Sequence, residues 1–223
     1  MTLPPHADVR GGIRRWGGLG NFQDGDCVIA GFEHNRMTKA VANGSSFARL
    51  IYRLGFRPPH TPYTLAIYAQ YLATQGEKPG PSAGVDPASF FPWAQERGLI
   101  IAWGRVNLTG GDADRDALHQ AMIDYRGVVL TILLTENAYQ NWYTRTPWHI
   151  GPDPADRPNP QLAHAVLLVQ YNDIEDAVVT WGRAKTETAT FTSAATYGAF
   201  VFLDESDVVR PEYPELLSKI KSL

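Results

Sequence analysis

The spacing of apolar positions changes along the chain, from helical in the first half to strand-like in the second. In the first half, apolar residues recur at helical spacing after Cys27, after Thr61-Pro62 and after Asp86-Pro87. This pattern predicts three helices, to which a short helix over 47–54 is added. A loop rich in proline, glycine and serine, residues 76–84, separates the second and third helices.

Beyond residue 98 the pattern favours strands, with one further helix over 114–125 and a short one within 211–223. The predicted strands are 99–106, 127–134, 164–171, 176–181, 188–192 and 197–203. The turn Tyr171-Asn172-Asp173 predicts a hairpin between the two strands that flank it. Helices followed by paired strands indicate the α+β class, with a helical lobe before an antiparallel β lobe.

These elements divide the chain into four segments. We expect an extended arm over 1–20, a helical lobe over 21–105, an antiparallel β lobe over 106–206 and a tail over 207–223. The arm is rich in proline and glycine, and the sequence favours a solvated tail here. The alternative is that arginines and Trp16 dock the arm on the body or on a partner.

Composition narrows the classes of function. The chain has 223 residues, a net charge of −3 and no basic run, which argues against binding to nucleic acid. A single cysteine excludes an internal disulfide, and scattered histidines without ligand spacing predict no metal and no cofactor. No apolar run is long enough for a signal peptide or a membrane span, so we expect no membrane contact and a cytoplasmic or virion-associated location.

The only cysteine, Cys27, stands where a polar, glycine-rich turn meets the first predicted helix. Unpaired N–H groups at a helix N-terminus favour a thiolate, which is the nucleophilic form of cysteine. The same N–H groups can hold an oxyanion, and the amide of Asn21 or of Gln23 can supply a second donor. The alternative is a small buried apolar cysteine without a chemical role.

A nucleophilic thiolate needs a base, and among the six histidines His164 stands at the mouth of a predicted strand after a long polar loop. His34 is two helical turns beyond Cys27 and too far along to serve as that base, so we interpret it as a packed or surface residue. The aromatic residues Trp142, Tyr143 and Trp148 line either a substrate groove or the core. His149 is interpreted as a loop residue.

The order of these motifs resembles the papain-like cysteine peptidase superfamily over about residues 20–202. The resemblance is carried by the cysteine that opens the first long helix, the segment Gly127-Val128-Val129-Leu130-Thr131-Ile132, the strand His164-Ala165-Val166 and the segment Thr180-Trp181-Gly182. The local motif Gly25-Asp26-Cys27 is also similar to papain-like proteins of tailed bacteriophages and bacteria.

The resemblance implies a two-lobe fold with a cleft, Cys27 as nucleophile and His164 as general base and acid. The oxyanion amide falls on Asn21, where the family has the longer Gln, with Gln23 as the fallback. Trp181 is implied to shield the histidine and to contact substrate. The family's third catalytic residue, an Asn, is replaced by Val179.

Without that Asn, three residues are candidates to orient the histidine. Thr180 has a hydroxyl but alternates to the other face from Val179, and Asn172 and Asp173 lie in a turn that we expect at the far end of the strand.

Two functions follow from these observations. The first is a cysteine-dependent amide or peptide hydrolase with an acyl-enzyme intermediate, acting on a peptide or isopeptide-like amide; acyl transfer to an amine would use the same residues. The second is a papain-like fold kept as a non-catalytic structural or interaction subunit, for example of a bacteriophage virion or tail assembly, with the arm contacting other subunits.

Overall fold

The fold combines helices with one antiparallel sheet in a computed structural model that describes residues 3–44, 50, 61–110 and 112–223. The described helices are α1 (Cys27–Asn43), α2 (Thr61–Gln75), α3 (Pro87–Glu96), α4 (Asp112–Tyr125), α5 (Glu136–Gln140), α6 (Ala189–Ala195) and α7 (Tyr213–Ile220). The strands are β1 (Ala7–Asp8), β2 (Ala102–Arg105), β3 (Val128–Leu133), β4 (Ala163–Tyr171), β5 (Glu175–Thr180), β6 (Arg183–Thr188) and β7 (Thr196–Leu203). The short helix expected over 47–54 lies outside the described residues, Leu50 excepted.

The sheet has the strand order β2-β7-β3-β4-β5-β6, with β1 added to β4, and every pairing is antiparallel. Helix α1 packs across β3 and β4. Gly31 lets the helix approach closely, because a Cβ there would stand 3.4 Å from a methyl of Val129. The prediction of mixed helices and antiparallel strands is confirmed, whereas their division into two lobes stays a prediction.

One predicted strand is wrong. Residues 188–192 were expected to be extended, but the strand β6 ends at Thr188 and α6 begins at Ala189. The Thr188 hydroxyl accepts from the Phe191 N–H at 3.2 Å, which caps the helix and ends the strand at the same residue. Phe191 is fully buried, so tertiary packing fixes a segment whose threonines favour a strand.

The N-terminal arm is not a solvated tail. Val9, Ile13, Trp16 and Leu19 are buried, and β1 pairs with β4. His34 anchors the arm to α1, because its Nε2 donates to the carbonyl oxygens of Trp16 at 3.2 Å and Gly17 at 3.0 Å. Burial lowers the pKa of His34 to about 4, so this ring is neutral and serves as a structural donor.

Candidate active site

Cys27 is the first residue of α1 and keeps partial solvent exposure. The first turn of α1 is closed by a hydrogen bond in which the Ala30 N–H donates to the Asp26 carbonyl oxygen at 2.9 Å. Burial raises the pKa of the Cys27 thiol by more than the backbone N–H groups of Ala165, Val28 and Cys27 lower it.

The Cys27 thiol is not poised as a thiolate. Burial raises the pKa of Cys27 to about 11, and the neighbouring Asp26 carboxyl adds to the rise. The sequence led us to expect a favoured thiolate. That expectation is wrong because the loss of hydration outweighs the hydrogen bonds from the backbone.

His164 is held on β4, where it is the register partner of Ile132, and it is 9% exposed. Its Nε2 lies 2.8 Å from the Thr180 hydroxyl oxygen. The ring stacks on Trp181, with centroids 4.3 Å apart and planes 12° from parallel. Burial lowers the pKa of His164 to about 3, so the imidazole is neutral at rest.

Trp181 and Gly182 form the two-residue turn between β5 and β6, since Thr180 pairs with Arg183. Both have positive φ, 42° for Trp181 and 76° for Gly182, as the twist of such a hairpin requires. A bulky residue at positive φ is strained. Stacking on His164 and contacts with Trp142 and Trp148 accompany this strained conformation and keep the indole over the imidazole.

The N-terminal arm packs against this turn. Gly17 forms a bridge with Gly182, and a Cβ on Gly182 would stand 2.7 Å from the Gly17 carbonyl carbon. Because His34 binds Gly17, a continuous set of contacts runs from the helix of the thiol to the turn that covers His164. Sequence reasoning missed this connection, since His34 and the arm gave no motif.

The thiol and the imidazole stand on two elements that pack together. Cys27 opens α1, which packs across β4, and His164 is near the start of β4. Within the described part of the chain, however, no hydrogen bond joins the Cys27 sulfur to His164, and Nδ1 of the ring makes none. Among the described residues the imidazole therefore keeps Nδ1 without a partner, and it forms no hydrogen-bonded ion pair with the thiol.

The two amides before the thiol differ in exposure. Asn21 is 8% exposed, and its side chain makes no hydrogen bond to a described residue. Gln23 is exposed, its backbone N–H donates to the Gly20 carbonyl oxygen at 2.9 Å, and its side chain has no hydrogen bond to a described residue. Of the two, Asn21 is enclosed by protein next to the start of α1, with donors that remain unused.

The residues that could orient the His164 imidazole lie at different distances from it. Val179, at the family's Asn position, is 1% exposed and belongs to the core. The Asn172 side chain accepts from the N–H groups of Ile174 and Glu175, both at 2.8 Å, in the turn before β5. Seven strand residues separate Asn172 from His164, so the two lie about 26 Å apart along the strand. Asn172 and Asp173 therefore cannot contact the imidazole, whereas Thr180 does.

Aromatic rings extend from the imidazole towards solvent. Trp142 lies 5.4 Å from Trp181 and 5.7 Å from Phe22, which is 60% exposed. Tyr143 is also exposed, whereas Trp148 is buried, so the aromatic run is divided between surface and core. The sequence did not single out Tyr197, whose pKa is raised by burial and, to a smaller extent, by the Cys27 thiol when that thiol is ionised.

The described residues contain no cluster of three or more His, Cys, Asp or Glu side chains that could hold a metal ion. None of the helices described is long and apolar enough to cross a bilayer.

Comparison with known proteins finds distant likeness among solved structures. No protein-family model matches the chain, and no curated protein matches it. Among solved structures the chain is similar to the Carica candamarcensis cysteine protease CMS1MS2, in the crystal structure of its complex with E-64. The identity is 15% and the TM-score 0.43, over 91% of this chain and 99% of that one. With a likeness this distant, function has to be argued from the residues of the chain itself.

Proposed function

We propose that the protein is a cysteine-dependent amide or peptide hydrolase in which Cys27 attacks and His164 moves the proton. One observation carries this proposal. The thiol opens α1, which packs across β4, and on that strand His164 is anchored at Nε2 by Thr180 and covered by Trp181. Covalent amide hydrolysis requires a nucleophile, a general base and a third group that orients the base.

Acylation begins with proton transfer from the thiol to Nδ1 of His164, as the sulfur bonds to the amide carbonyl carbon. The hydrogen bond between Nε2 and Thr180 favours this step when Nε2–H donates, because Nδ1 then carries the lone pair. The carbonyl oxygen becomes an oxyanion held by the Cys27 N–H and the Asn21 amide. Collapse breaks the C–N bond, and the imidazolium gives its proton to the leaving amine.

Deacylation uses the same groups in reverse. His164 takes a proton from water, whose oxygen attacks the thioester carbonyl. The C–S bond then breaks, the acid product leaves, and the thiolate recovers the proton. An amine in place of water would complete acyl transfer with no change in the residues used.

The raised pKa of Cys27 and the lowered pKa of His164 favour general-base catalysis over a thiolate–imidazolium ion pair that exists before substrate binds. Burial disfavours both the thiolate and the imidazolium, so Cys27 and His164 are both neutral at rest. Labelling of Cys27 at pH 6 is therefore expected to be slow, and reactivity is expected to depend on His164 at neutral pH.

The aromatic rings beside the imidazole suit the leaving-group side of a substrate. Because His164 must face the amine that it protonates, Trp181 and its neighbours Trp142 and Phe22 lie beyond that amine. These rings offer an apolar wall for peptide side chains, and exposed Gln23 stands on the same loop as Phe22.

The test is turnover of a library of fluorogenic peptide amides by the wild type and by Cys27→Ala, His164→Ala and the control His149→Ala. We expect turnover by the wild type and by the control, and none by the other two variants. Circular dichroism checks that each variant folds. Equal turnover by the wild type and Cys27→Ala would reject the proposal.

A second candidate is a non-catalytic interaction module. It is favoured by the neutral state of both side chains and by the absence of a hydrogen bond between them among the described residues. In that case the fluorogenic library gives no turnover, and Cys27→Ala leaves any partner complex intact in size-exclusion chromatography.

A further inference from the structure

Asp26, the residue before the nucleophile, has an unusual environment. It occupies the N-cap position of α1, but its side chain makes no capping hydrogen bond. The residue is 0% exposed, and neither carboxyl oxygen has a hydrogen-bond partner in the described part of the chain. The carboxyl instead points beneath the preceding loop, where a Cβ on Gly20 would stand 2.5 Å from Oδ2. Buried carboxylates ordinarily have partners, so the arrangement calls for an explanation.

The surroundings offer no positive charge among the described residues. Leu65 of α2 comes to the same point beside Gly20. Tyr68 of α2 faces both Asp24 and Asp26, but its hydroxyl donates to the carbonyl oxygens of Gly80 at 3.0 Å and Ala83 at 2.6 Å. The remaining titratable neighbours are Asp24, a second carboxyl in the same loop, and the Cys27 thiol. Every charged form near Asp26 is therefore negative.

We propose that Asp26 is a positioning residue that must carry a proton for Cys27 to form its thiolate, so that this helix start holds at most one negative charge. The inference rests on the proposed function, in which Cys27 is the nucleophile. A protonated Asp26 is uncharged and tolerates burial without an ion partner. An ionised Asp26 would add a like charge one residue from the sulfur and oppose the loss of the thiol proton.

The titration directions agree with this geometry. Burial, with a contribution from Asp24, raises the pKa of Asp26 to about 7, and Asp26 in turn raises that of Cys27. As the pH rises through neutrality, Asp26 is expected to ionise first and to make the thiolate harder to form. Asp26→Asn keeps the shape of the side chain and removes this charge at every pH.

The test is the rate of labelling of Cys27 by iodoacetamide from pH 5.5 to 9.5 in the wild type, Asp26→Asn and the matched control Asp24→Asn. We expect Asp26→Asn and the wild type to coincide below pH 6. Asp26→Asn should then be about tenfold faster above pH 8, since a like charge at this separation shifts a pKa by about one unit. Asp24→Asn removes a less buried charge and should change the rate by about twofold or less.

Superimposed profiles for Asp26→Asn and the wild type, or a constant ratio at every pH, would overturn the inference. If Asp26→Asn does not fold, the ¹³C chemical shift of the Asp26 carboxyl carbon in the wild type decides. A midpoint near neutrality supports the inference, and one near the ordinary aspartate value of about 4 overturns it.

The labelling experiment uses no amide substrate, so the two proposals can fail separately. A profile that splits above pH 7 without turnover of any peptide amide would reject the hydrolase alone. Turnover that Cys27→Ala abolishes, together with superimposed labelling profiles, would reject the role of Asp26 alone.

Discussion

Replacing Glu187 with glutamine should remove a large loss of stability that the wild type suffers between about pH 5 and pH 8. Glu187 is fully buried beside Asp176, its register partner across β5 and β6. The Thr192 hydroxyl lies 2.6 Å from Asp176 Oδ2 and 2.9 Å from Glu187 Oε1, but it has only one proton to donate. One of the two carboxyl groups must therefore keep its own proton.

Neighbouring donors decide which carboxyl group is charged. Arg115 and His119 bind Asp176, with His119 Nε2 at 2.8 Å. Although burial alone would raise it, these bonds and the one from Thr192 hold the pKa of Asp176 below its ordinary value. Glu187 has no such partners for its second oxygen among the described residues. Burial, and then the charge of Asp176, raises the pKa of Glu187 to about 8.

The direction in which stability changes with pH follows from the number of protons that the folded and unfolded states bind. Between about pH 4.5 and pH 8 the folded protein keeps the Glu187 proton that the unfolded chain has lost, so the free energy of unfolding falls as pH rises, and it levels off above pH 8. A difference of about 3.5 pKa units corresponds to on the order of 5 kcal/mol over this range. Glutamine at 187 cannot ionise, so this component should be absent from the variant.

Urea unfolding at pH 5 and pH 9 measures the effect, with Glu77→Gln, a change in an exposed loop, as the matched control. We expect the wild type and the control to lose several kcal/mol more than Glu187→Gln between the two pH values. Equal losses in all three proteins would show that Glu187 is ionised in the folded state and would refute the reasoning.

Three further predictions concern the site and its supports. Thr180→Val removes the partner of His164 Nε2 and should lower kcat about tenfold with little change in KM, measured on any amide substrate that the wild type cleaves. Lys185→Met should lower the melting temperature by about 2–6 °C in calorimetry, because the Lys185 ammonium binds the carbonyl oxygens of Asn141, Thr144 and Thr146 in the loop that carries Trp142. Gly182→Ala meets the Gly17 backbone at 2.7 Å and should destabilise the protein by about 1–3 kcal/mol more in urea unfolding than Gly76→Ala, which has a similar φ of 74° but open space around it. Unchanged kcat, an unchanged melting temperature, or equal losses for the two glycine variants would contradict the respective prediction.

Local signals in the sequence were sufficient for much of the fold. Asp86-Pro87 marked the start of α3, where Asp86 accepts from the Ala88 N–H, and Asn172 marked the turn between β4 and β5. The segment after Thr188 could not be assigned from its own residues, because its helix depends on the burial of Phe191 against Trp148. The arm gave no periodic signal, and its burial depends on residues distant in sequence, notably His34.

The site was harder to predict than the fold. Spacing and motif singled out Cys27 and His164, but the charge state of each depends on burial, which is a property of the packed structure. Strand alternation separated Thr180 from Val179 without showing which of the two would meet the imidazole. The sequence singled out no role for Asp26, and only the structure shows that its carboxyl turns inward beneath Gly20.

The most direct test of the central claim is whether Cys27 becomes acylated and whether His164 speeds hydrolysis of that acyl group. Intact-mass spectrometry after mixing with p-nitrophenyl acetate would follow the acetyl adduct, and peptide mapping would locate it. We predict a single acetyl group on Cys27 that hydrolyses at least about a hundredfold faster in the wild type than in His164→Ala. An adduct on other residues, or equal release by the two proteins, would contradict the account.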